Sequence, residues 1–72
     1  MSKSALEFAV FCIEAVARRL GTSGSAVYDA LAVRSTLLGD YVVANYDALH
    51  TQDREYVVDD ILAAMARAGV AP

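Results

Sequence analysis

The sequence predicts an all-α fold, a compact single domain of about four short helices within residues 1–72, on three observations. Apolar residues recur every three or four positions in four stretches, as one face of a helix requires. The stretches begin at or just behind serine, threonine or aspartate, the residues that cap helices. Nowhere does a run sustain the strict alternation of a half-buried strand. The expected helices cover residues 4–20, 23–34, 36–49 and 52–68.

The first helix starts at Ser4, which forms a capping-box pattern with Glu7, and stops at Gly21. Leu6, Ala9, Val10, Ile13, Ala17 and Leu20 make its apolar stripe, which Phe8, Phe11, Cys12 and Val16 widen enough for packing on two sides. Glu14 and Arg18 are spaced as an i,i+4 ion pair. Ser23 caps the second helix, which carries Val27, Ala30 and Leu31 and ends near Arg34. The third begins around Ser35 or Thr36 and aligns Leu38, Tyr41, Val42, Asn45, Tyr46 and Leu49. Gly39 is its weak point, at a cost of about 1 kcal/mol relative to alanine. His50 ends this helix, and Thr51 or Asp53 caps the fourth. There Val57, Val58, Ile61, Leu62 and Met65 form the stripe, and Gly69 is the stop. Acids at its start and Arg67 near its end complement the helix dipole.

Size and composition narrow the function. A chain of 72 residues has little core, and its single cysteine and single histidine offer neither an intrachain disulfide nor a closed zinc site. Oligomerisation or a partner is the remaining support. The hydrophobic content of 57% and mean hydropathy of +0.39 agree with apolar surface covered by another chain. The net charge of −3 and scattered basic residues speak against nucleic acid, which wants a basic stripe. The apolar run Ala5–Ala17 is interrupted by Glu7 and Glu14 and is too short to cross a bilayer, so no membrane segment and a cytoplasmic location are expected, with Cys12 reduced and buried.

The corner between the third and fourth helices is the most distinctive feature, Leu49-His50-Thr51 followed by Tyr56-Val57-Val58 and Asp60-Ile61. With Leu6-Glu7-Phe8, Phe11-Cys12-Ile13-Glu14 and Ser23-Gly24 before Val27-Tyr28, it makes the chain resemble a small bacterial family known as domain of unknown function 3791. Two positions depart from that pattern: Asp53 where the family often has glycine, and Ala26 where it tends to carry glutamate. The resemblance brings no established activity. It implies a short bacterial protein often encoded beside a domain similar to ADP-ribosyltransferases, in an arrangement like a toxin with its neutraliser.

Tyr46, Leu49, His50, Thr51, Tyr56 and Asp60 are expected to form a structural corner, with Tyr46 and Tyr56 bracketing His50. No nucleophile stands at a motif spacing from His50, and the Asp47, His50, Asp53 spacing loses its meaning as a metal site once the helix breaks between them. No catalytic residue, cofactor or metal is expected. Phe8, Phe11, Val58, Leu62 and Met65 are the candidate interface, for a second copy or a protein encoded nearby, with the acids between Asp47 and Asp60 steering a basic surface. The expected function is a non-enzymatic interaction module, antitoxin-like. The alternative is a transcriptional regulator in which Ser23 to Leu49 forms a helix-turn-helix.

Overall fold

A computed structural model describes all 72 residues. Its elements are α1 (Lys3–Leu20), α2 (Gly24–Tyr28), a π-helical segment Asp29–Val33 continuous with α2, a second π-helical segment Leu38–Val43, α3 (Tyr46–Leu49) and α4 (Arg54–Ala68). No strand forms, so the fold is all-α.

The ends of the long helices follow local chemistry. Ser2, rather than Ser4, caps α1 by accepting from the Ala5 amide at 3.1 Å, which starts the helix before the expected capping box. At the other end Gly21 adopts φ 67°, and the Thr22 and Gly21 amides donate back to the carbonyls of Ala17 and Arg18. Gly69, at φ 72°, closes α4 in the same way, with Val70 donating to Met65 and Gly69 to Ala66. Both are paired C-terminal caps that need the left-handed conformation glycine tolerates. Ser23 caps α2 through the Ala26 amide, and Asp53 caps α4 through the Tyr56 amide at 2.8 Å.

The middle of the chain departs from regular α-helix. In the first π segment the Arg34 amide reaches the Asp29 carbonyl, five residues back, and the Ser35 hydroxyl donates to the freed Ala30 carbonyl at 2.7 Å. The expected third helix is divided: Ala44 donates to Gly39 across a second wide turn, the chain breaks at Asn45 (φ −103°, ψ 18°), and only one turn of α-helix follows. The wider turn places Val42 in the core while Tyr41 donates its hydroxyl to Asp60 of α4 at 2.6 Å. Asn45 spans the break by donating its side-chain amide to the Tyr41 carbonyl at 2.7 Å.

Sixteen residues are buried, none of them polar, and six are alanines: Ala5, Ala9, Ala15, Ala17, Ala30 and Ala64. The continuous core joins Cys12, Val16 and their alanine neighbours on α1 to Val27 and Leu31, Val42, and Val57, Val58, Ile61 and Met65 of α4. This corrects the expected face of α1. The helix turns small residues inward, while Leu6 and Val10 of the expected stripe are about half exposed (53% and 52%). Large side chains dominate the apolar pattern of the sequence, but shape complementarity selects the small ones for this crowded centre.

The radius of gyration is 10.8 Å, against about 11 Å for a domain of this length. The accessible surface is 4159 Å², close to the roughly 4,300 Å² that the scaling for folded monomers gives. The chain therefore has the compactness and the accessible surface of a folded domain of its length.

Candidate interaction surface

The corner is built from the chain's own polar groups. Leu49 is buried and anchors it. His50 folds back one turn: Nδ1 lies 2.8 Å from the Tyr46 carbonyl, and the imidazole stacks on the Tyr46 ring at 4.4 Å between centroids and 12° between planes. A carbonyl only accepts, so the contact requires the proton of Nδ1 as its donor. Thr51 donates to the Ala48 carbonyl at 3.1 Å, and the Asp53 cap then turns the chain into α4. Asp47, His50 and Asp53 do not converge: no three His, Cys, Asp or Glu side chains come together as a metal ion would need.

From this corner a line of rings crosses to α1. Tyr46 meets Phe8 edge to face at 5.5 Å and 72°, and Phe8 stacks on Phe11 at 6.2 Å and 29°. His50 and Phe11, the ends of the line, are exposed, while Phe8 and Tyr46 are half-buried. Such geometries add stabilisation of about 0.5–1.5 kcal/mol per pair beyond area burial. They also hold the outer rings rigid, so a partner meeting them loses little entropy.

Tyr56 does not bracket the corner. Its side chain points outward, 53% exposed, and makes no ring contact. Asp60 serves α4 and Tyr41 instead of His50. That hydrogen bond, more than burial, raises the Tyr41 pKa and keeps the phenol protonated. Of the expected interface, Phe11 is exposed and Phe8 and Leu62 are half-buried, but Val58 (1%) and Met65 (3%) lie in the core and offer a partner almost no surface. They point inward because α4 turns the Val57, Val58, Ile61 and Met65 stripe onto α1. The exposed Leu6, Val10, Tyr28 and Val33 have no interface role in the sequence pattern. Only the rotation of each helix about its axis, absent from residue spacing, reveals them.

Charge is distributed differently from the sequence expectation. Asp53 caps α4, Asp60 accepts from Tyr41, and Glu55 and Asp59 both accept from Arg19 at 2.7 Å. Four of the five acids expected to steer a basic partner are thus engaged within the chain, leaving Asp47. Arg18 is not paired with Glu14, whose carboxylate instead lies over Gly24 at the start of α2, 2.9 Å from where a side chain there would begin. Between α1 and α4 lies a shallow hollow of about 120 Å³, lined by Ala15, Arg18, Arg19, Arg54, Glu55 and Val58. No helix is long and apolar enough to cross a membrane.

Compared with known proteins, residues 7–67 match the family described as protein of unknown function (DUF3791). No curated protein and no solved structure matches the chain. The match runs from the ring-bearing turns of α1 through the Leu-His-Thr corner to the end of α4, and with that span covered the chain belongs to the DUF3791 family.

Proposed function

We propose that this chain is a non-enzymatic interaction module that acts by covering another protein. The observation that carries the reading is the line Phe11, Phe8, Tyr46 and His50, a pre-ordered set of rings with both ends open to solvent. Rigid aromatic groups are the usual anchors of protein interfaces. The exposed Leu6 and Val10 add apolar surface on the same helix. The family resemblance supplies the specific form of the proposal: an antitoxin-like partner of an ADP-ribosyltransferase-like protein encoded nearby, in the cytoplasm. The helix-turn-helix alternative has weaker support, since Arg34, the only cation between Ser23 and Leu49, is already paired with Asp29 at 2.7 Å.

Native mass spectrometry after co-expression with the neighbouring protein tests the proposal. A stoichiometric complex is expected, with Phe11→Ala weakening it by about tenfold or more, as loss of an interface anchor does. A chain that ignores its neighbour, or a complex indifferent to Phe11→Ala and Tyr46→Ala, would overturn it.

A further inference from the structure

The line of rings does not end at Phe11. Phe8, Phe11, Ala15 and Arg18 follow one another at helical spacing on one side of α1, so the ring surface leads along the helix into the hollow against α4. Ala15 lies about 6 Å beyond Phe11 along the axis. The hollow has an apolar floor of Ala15 and Val58, both buried, and around it stand three of the chain's six basic residues and one acid, Glu55. Arg19 is fixed in place by Glu55 and Asp59, and its charge is satisfied. Arg18 and Arg54 form no ion pair with any carboxylate of the chain. In a protein with net charge −3, two unpaired guanidinium groups therefore border one small hollow beside an aromatic surface.

We infer that this hollow receives the carboxylate of an aspartate or glutamate on the partner protein, from a segment whose neighbouring apolar residue lies on Phe11. The identification rests on charge complementarity and on the proposed protein-covering function. Guanidinium groups present forked donors that match a carboxylate. The apolar floor removes water from one side of the contact and strengthens it. The volume of about 120 Å³ admits a carboxylate head with a few waters. The partner segment is therefore acidic, opposite in sign to the one the acids of α4 suggest when read without their intrachain bonds.

The test uses the full chain, labelled with nitrogen-15, titrated with acetyl-Phe-Asp-amide, acetyl-Phe-Asn-amide and inorganic phosphate at matched ionic strength. The aspartyl peptide should shift the amides around Ala15, Arg18, Arg54 and Val58 saturably, and should bind about fivefold or more tighter than the asparaginyl peptide, as a charge-assisted bond requires. Arg18→Gln with Arg54→Gln should abolish that preference while Lys3→Gln retains it. Each single arginine variant should lower it, which covers the case of a double variant that fails to fold. Equal binding of the two peptides, shifts located elsewhere, or phosphate saturating the site more tightly than the aspartyl peptide would overturn the inference. If the co-expressed neighbour forms a complex but the arginine variants bind it unchanged, the inference fails while the proposed function stands. If the aspartyl peptide binds as expected but no neighbour complex forms, the carboxylate site stands and the antitoxin-like function fails.

Discussion

At Cys12 the environment sets the chemistry of a single atom. The thiol is fully buried among Val16, Val58 and the alanines of α1, and burial pushes its pKa up to about 12 from 9.0. An acid whose folded pKa lies above its unfolded value stays protonated in the native state, so the stability it contributes is complete below pH 9.0 and is lost as pH rises towards about 12. A shift of that size corresponds to roughly 4 kcal/mol at the alkaline limit. Native protein at pH 8 should react with a thiol reagent only on the unfolding timescale. Urea midpoints should fall between pH 9.0 and about 12, and the fall should be shallower in Cys12→Ala. Tyr41, raised in the same direction by Asp60, contributes a second loss in alkali that Tyr41→Phe removes. The burial of Cys12 is legible in the sequence because its neighbours are apolar on every side. The role of Tyr56 is not, because nothing in its spacing distinguishes an inward from an outward tyrosine.

Among the elements, α4 depends most on one cap. Asp53 satisfies the Tyr56 amide, and Asp53→Ala should cost about 1 kcal/mol, within a range of about 0.5–2. A urea midpoint unchanged within error would show that the corner holds α4 without it. The glycine stops and the fourth helix follow from side-chain chemistry local to each end, and for that reason the sequence shows them, while for this cap it offers Thr51 beside Asp53 and the structure selects Asp53. The start of α1 differs from the expected one because Ser4 with Glu7 offers a capping box, while Ser2 offers the same oxygen two residues earlier and gains extra helix. The division of the third helix is hidden for a different reason. Its residues keep helical spacing, and only the need to bring both Val42 into the core and Tyr41 onto Asp60 widens the turn. The line of rings is half legible: Tyr46 and His50 are neighbours on one turn, but their connection to Phe8 is a tertiary contact between residues far apart in the chain.

For the whole molecule, stability rests on few large side chains. Leu31 and Ile61 are the largest fully buried residues, and Ile61→Ala should cost about 2–5 kcal/mol. Small domains lie near the bottom of the usual range of about 5–15 kcal/mol of folding stability, so this variant should be largely unfolded at about 37 °C by circular dichroism. A cooperative transition retained at the midpoint temperature of the unmodified chain would mean that the core is distributed more widely than its buried residues indicate. The six buried alanines carry the opposite vulnerability. At each of them a larger residue meets neighbours that already exclude solvent, at about 1–3 kcal/mol, and glycine loosens the backbone by about 1 kcal/mol within a helix. Substitutions at these six positions should therefore lower the urea midpoint whichever way the side-chain volume changes, so the centre of the molecule has a preferred size that neither a larger nor a smaller residue meets.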